Sequence, residues 1–150
     1  MKRLWPGVLA VLVCAAGIGA QPKIPIILDT DIGTDIDDAF ALALALKSPE
    51  IELLAVTTVS ADAYGRALIA CRFLEAVGRS DIPVAAGRPR RETPEQKGQY
   101  AYGQEPTFQK RPVPELAHEF IYRQIKAQPG KITLITVGRR PPSRAASEPA

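Results

Sequence analysis

Five aspartates, Asp29, Asp31, Asp35, Asp37 and Asp38, fall within ten positions of this chain, in the string LDTDIGTDIDDAFAL. The apolar run Lys23 to Leu28 (KIPIIL) precedes them and AFALALALK, residues 39–47, follows. The first reads as a buried strand, and the second, rich in Ala and Leu, as a helix stopped by Ser48-Pro49. The acids therefore occupy a strand-to-helix turn, and their mutual repulsion has to be offset there. A hard cation held by oxygen ligands does this, and Ca2+ suits a flexible carboxylate-rich loop. The amides at the helix N-terminus add to the effect. Asp37 or Asp38 is placed to cap the helix, but a cap uses one aspartate and this turn has five. Gly33 allows the backbone to bend tightly between the acids. The plainer alternative is a solvated acidic turn with a cap.

Alternation continues downstream. Residues Ile51 to Val59 (IELLAVTTV) are β-branched and apolar, a second strand; Asp62 to Val77 carries helical rows with Leu68, Ile69, Cys71 and Phe73, closed by Gly78. Ile82 to Ala86 is a third short strand. Residues 88–114 are rich in Pro, Gln, Gly and charge, and a loop of that length is functional or disordered. Its Tyr100, Tyr102 and Phe108 are open to two readings, stacking on a bound base or plain loop aromatics. Glu115 to Ala127 returns to helix, and Lys131 to Val137 (KITLITV) is a fourth strand. The order predicts an α/β fold with a largely parallel sheet and flanking helices. Nearly unbroken apolar strands predict cover on both sheet faces. In such sheets ligands gather at the carboxyl ends of the strands, where the acid turn lies.

The ends differ from the middle. Lys2 and Arg3 precede a short apolar stretch, Val8 to Cys14, and Ile18-Gly19-Ala20 supplies small residues for cleavage. Residues 1–20 are expected to be a signal peptide, with a periplasmic or extracellular destination and no stable membrane association after cleavage. Residues 139–150 (RRPPSRAASEPA) lack Val, Ile, Leu and aromatic residues, and are expected to be a disordered tail. Of the net charge of +3, the first twenty residues carry +2 and the last twelve +2, leaving 3 − 2 − 2 = −1 for residues 21–138. The basic balance belongs to the ends, which argues against nucleic-acid binding. With Cys14 in the signal, Cys71 is alone, and a buried apolar role suits it.

Three known patterns compete for the acid string. An EF-hand loop from Asp29 wants Asp or Asn at 33 and Gly at 34, where the chain has Gly33 and Thr34. A haloacid-dehalogenase-type phosphatase wants Thr or Val where Gly33 stands. The third is the inosine-uridine nucleoside hydrolase family, whose pattern of strand, DxDxG and a DD pair opening an Ala-rich helix resembles Asp29, Asp31, Gly33, Asp37, Asp38 and Ala39. The strings PEIELLAVTTVS (49–60), IPVAAG (82–87) and KITLITVG (131–138) are similar to that family's next strands, in order and at its spacing.

The resemblance implies a hydrolase cleaving the N-glycosidic bond of ribonucleosides to ribose and base with a Ca-bound water. It implies Asp31 as metal ligand and general base, Asp38 as a second metal ligand, and Val137 as a metal ligand through its carbonyl. Asp37 and Asp62 would bind the sugar, and Asp29 and Asp35 would stand behind them. The partner is then a small-molecule nucleoside, with a homo-oligomer open to a full-length protein. Two departures stand out: Asp62 where many members carry Asn, and the extra Thr34-Asp35-Ile36 relative to the shorter form of the motif. His118, the lone histidine, reads as a partly exposed residue of the helix 115–127. Residues 21–138 are expected to be the amino-terminal part of a hydrolase domain. The abrupt change after Gly138 is what a truncated or frame-shifted gene gives. A catalytically inactive fragment that at most binds Ca2+ weakly is the alternative, and a phosphatase the third.

Overall fold

In the computed structural model, residues 22–89 and 98–138 are described. The expected signal and tail, and residues 90–97 of the long loop, lie outside them. The elements are β1 (Ile24–Thr30), α1 (Asp37–Lys47), β2 (Ile51–Thr58), α2 (Ala63–Ala76), β3 (Val84–Ala86), α3 (Tyr100–Gly103), α4 (Ala117–Ala127) and β4 (Thr133–Thr136). All pairings are parallel and the strand order is β3-β2-β1-β4. The chain thus winds outward from β1 to β2 and β3, then returns to lay β4 on the other side of β1.

Side-chain alternation along β1 builds two apolar layers. Ile26 and Leu28 face a cluster containing Leu42 of α1 and Ile69, Ala70 and Leu74 of α2, whereas Ile27 joins Ala55, Ala117 and Phe120 under α4. Ile26, Ile27 and Leu28 are all at most 2% exposed, as expected for a strand covered on both faces. The placement of α4 on the opposite face from α1 and α2 follows from the change of winding direction, because parallel crossovers keep one hand.

The pairing of β1 with β2 shifts between Ile26 and Ile27: Ile26 stands opposite Leu53 but Ile27 opposite Ala55, leaving Leu54 as the extra residue of a β-bulge. Beyond it, Asp29 pairs with Thr57 and Thr30 with Thr58. That pairing carries β1 two residues past the end of the apolar run.

Three expectations are corrected. Strand β4 is not covered on both faces: it lies at the sheet edge, with Thr133, Leu134 and Thr136 exposed, because no further strand among the described residues pairs with it. Neither Asp37 nor Asp38 caps α1. The cap position is Ile36, and the Asp37 carboxylate instead accepts from the Asp38 amide at 3.0 Å. Residues 88–114 are not wholly loop, since α3 and a bridge from Val113 to Ala85 fall within them. No helix among the described residues is long and apolar enough to cross a membrane.

Candidate active site

Every strand of this sheet runs toward one edge, and the acids collect there. Asp31 follows β1, Asp62 follows β2 and Val137 follows β4. Strand order reverses between β1 and β4, and a crevice opens at such a switch point in parallel sheets. The Val137 amide donates to the Asp29 carbonyl at 2.9 Å. A Cβ added to Gly138 would come within 3.2 Å of the Asp31 nitrogen, so the end of β4 lies directly against the first acids.

Within the turn the carboxylates have different company. Asp38 is 6% exposed, and the Thr30 hydroxyl donates to it at 2.5 Å. The same hydroxyl oxygen accepts from the Ile32 amide at 3.1 Å, which ties the turn to the helix start. Asp29 accepts from the Thr57 hydroxyl at 2.6 Å, a bond the bulged register makes available. Burial raises both carboxyls above their ordinary value; the threonine hydroxyls oppose this, and the charge of Asp31 raises them further. Asp37 also raises Asp38. Asp31 itself is half-buried, and no hydrogen bond from the described residues engages its carboxylate. Asp37 and Asp35 are exposed, and it is the Asp35 carbonyl that accepts a hydrogen bond, from the Gln99 side chain at 2.8 Å.

Gly33 has φ +121°, and a Cβ there would press on the Ile69 side chain at 2.8 Å, so only glycine suits this bend. In the second turn, Ser60 and Ala61 hold left-handed φ values of 68° and 41°. Such non-glycine conformations cost about 1–3 kcal/mol each and concentrate at functional sites. Asp62 follows them and caps α2, one oxygen accepting from the Gly65 amide at 2.9 Å. A sugar contact by Asp62 would therefore use a carboxylate already half committed to its helix.

Sequence reasoning missed Thr30, Thr57 and Arg66. Arg66 is 3% exposed and donates to the carbonyls of Asp31 and Ile32. The signal for it was present: Arg66 shares a helix face with Ile69, Ala70 and Phe73, an unusual place for a charge. Tyr100 and Phe108 are buried, and Tyr102 lies against Arg72 with the guanidinium 4.1 Å from its ring centre. The base-stacking reading therefore finds no support at Tyr100 or Phe108. His118 is exposed on α4, beside Arg88 and Glu119, as expected. Cys71 is buried, and burial pushes its thiol up to about 12, which suits an inert apolar role.

The donors at the turn are all oxygens, the chemistry a hard cation prefers. Among the described residues, however, no three His, Cys, Asp or Glu side chains come together as a cage. Carboxylates alone would leave a calcium ion short of its six to eight oxygens, with carbonyls, water and sugar hydroxyls to supply the rest.

A parallel α/β domain with an acid turn at its switch point has known counterparts. The family model for the inosine-uridine preferring nucleoside hydrolases matches residues 26–140, and the chain belongs to that family. It is 35% identical over 133 residues to a probable uridine nucleosidase 2 of Arabidopsis thaliana, a match covering 81% of this chain and 40% of that protein. Over 65 residues it is 49% identical to the pyrimidine-specific ribonucleoside hydrolase RihA of Photobacterium profundum, covering 42% of this chain and 20% of that one. Among solved structures, a plant nucleoside hydrolase, the PpNRh1 enzyme, superposes with a TM-score of 0.67 at 29% identity, covering 78% of this chain and 40% of that one. The chain thus spans 40% or less of the length of each of these relatives.

Proposed function

We propose that this chain serves hydrolysis of the N-glycosidic bond of ribonucleosides, giving ribose and free base, with calcium as its cofactor. The observation that carries this is the contrast among the acids. Asp29 and Asp38 are anchored by Thr57 and Thr30, while the half-buried Asp31 carboxylate between them is left unengaged by the described residues. A half-buried, unengaged carboxylate on a turn whose backbone Arg66 holds is suited to take a proton from an attacking water. As the glycosidic bond breaks, positive charge develops on the sugar, and the surrounding acids favour it.

Asp31 and Asp38, with the Val137 carbonyl, would hold the ion. When bound, it supplies a more acidic water and a template for the sugar diol. Asp37, exposed beside Asp38, would accept from a ribose hydroxyl, and Asp62 from the neighbouring turn would do the same with its second oxygen. Asp29 shapes the field behind them, and Asp35 stands at the rim. The names of two relatives point to uridine and pyrimidine ribonucleosides, so uridine is the first substrate to test, with inosine beside it.

The experiment is ribose release from both nucleosides in the presence of calcium. Asp31→Asn is expected to lower the rate by at least about 100-fold, the usual worth of a positioned general base. A folded chain that releases no ribose sinks the proposal. The reading left standing is then a catalytically inactive chain that at most binds calcium weakly.

A further inference from the structure

One guanidinium joins the two turns that carry the acids. Arg66 Nη1 donates to the carbonyls of Asp31 and Ile32, the latter at 3.0 Å, and Nε donates to the Ser60 carbonyl at 3.3 Å. The ring of Tyr100 lies alongside, its centre 5.8 Å from the guanidinium carbon. That ring also packs where side chains at Gly33 and Gly65 would otherwise stand. No ion pair links Arg66 to a carboxylate among the described residues. A buried charge without a paired acid is unusual, and here backbone carbonyls satisfy it.

The consequence is geometric. The carbonyls of residues 31 and 32 are committed inward, so this stretch of the turn offers a ligand its side chains rather than its backbone oxygens. The Ser60 carbonyl opens a pair of left-handed residues that would relax to ordinary conformations if nothing held them. Asp31 and Asp62 sit on different turns, and the spacing between them depends on both turns keeping their shape.

We propose that Arg66 is a positioning residue that locks the Asp31 and Asp62 turns together in their working shape before any ligand arrives. It rests on the reading of these turns as the active site. Arginine is required because its planar fork reaches several carbonyls at fixed angles; a lysine keeps the charge but not the fork.

Amide hydrogen exchange on the whole chain, without calcium, tests this directly. In the wild type, peptides covering 29–36 and 58–63 are expected to be protected. In Arg66→Lys both segments are expected to exchange faster by about tenfold or more, while α4 stays unchanged. Calcium affinity of the variant, measured by titration calorimetry, is expected to fall by about 10- to 100-fold, as when a ligand's supporting contact is removed. Unprotected turns in the wild type, acceleration of only one turn, or equal acceleration of α4 would each overturn the proposal, the last by showing a general stability role. Should Arg66→Lys fail to fold, the comparison is made in an Ala61→Gly background, where the left-handed strain is relieved. A wild type that binds no calcium sinks the proposed chemistry, whereas the exchange pattern alone decides the role of Arg66.

Discussion

Tyr100 shows how closely residue-level energetics and the site are joined. Its buried hydroxyl has the Arg66 guanidinium beside it but no well-aligned hydrogen bond among the described residues. Burial raises its pKa, the Arg66 guanidinium opposes that, and the charges of Asp62 and Asp31 add to it, which places the ring beside both acid turns. An unpartnered buried hydroxyl costs about 1–3 kcal/mol. Tyr100→Phe keeps the ring and removes the orphan, so it is expected to stabilise the ligand-free chain by about 1 kcal/mol in urea unfolding. An equal loss of stability would show that the hydroxyl is satisfied after all. The acids themselves were legible in sequence, because five carboxylates in one turn demand an explanation. Their anchors were not, because Thr30 and Thr57 look like ordinary strand residues until the register sets each beside its aspartate.

Helix α1 carries two faces that should respond oppositely to substitution. Leu42 is fully buried against the sheet, while Phe40 and Leu44 on the other side are 68% and 67% exposed. Leu42→Ala is expected to cost about 2–5 kcal/mol in chemical unfolding. Phe40→Lys is expected to leave stability within about 0.5 kcal/mol in the same measurement, since it falls on an exposed apolar stripe running from Ile36 to Leu44. A large stability loss at Phe40 would contradict the observed exposure. All the long helices and all four strands were legible as elements, because their periods are set locally. The one-turn α3 was not, since its four residues offer no period to read. The exposure of β4 was not legible either: KITLITV has the composition of a covered strand, and only its position in the sheet reveals that one side of it has no neighbour.

At the scale of the whole molecule, parallel winding was readable from the alternation of elements, but strand order was not, because nothing local says that β4 returns to the far side of β1. The long segment after β3 is tied back to α2 by Glu75, whose carboxylate accepts from the amides of Gln109 and Lys110. Those amide bonds, first Lys110 and then Gln109, hold the Glu75 carboxyl below its ordinary value of 4.5. A folded value below the unfolded one gives stability that is present above 4.5 and lost as pH falls through the lowered value. The melting temperature of the wild type is therefore expected to exceed that of Glu75→Gln near neutral pH, with the gap closing under acid conditions below that value. A gap that persists in acid would assign the difference to packing instead of charge. The bulge at Leu54 has a consequence of another kind. It works as a slip joint: upstream of it β1 and β2 are offset by 27 positions, downstream by 28, and only the second offset sets Thr57 against Asp29. A residue gained or lost in the strand stems before the joint thus leaves the alignment beyond it undisturbed, so the spacing of the acids is insulated from length changes on the far side of the sheet.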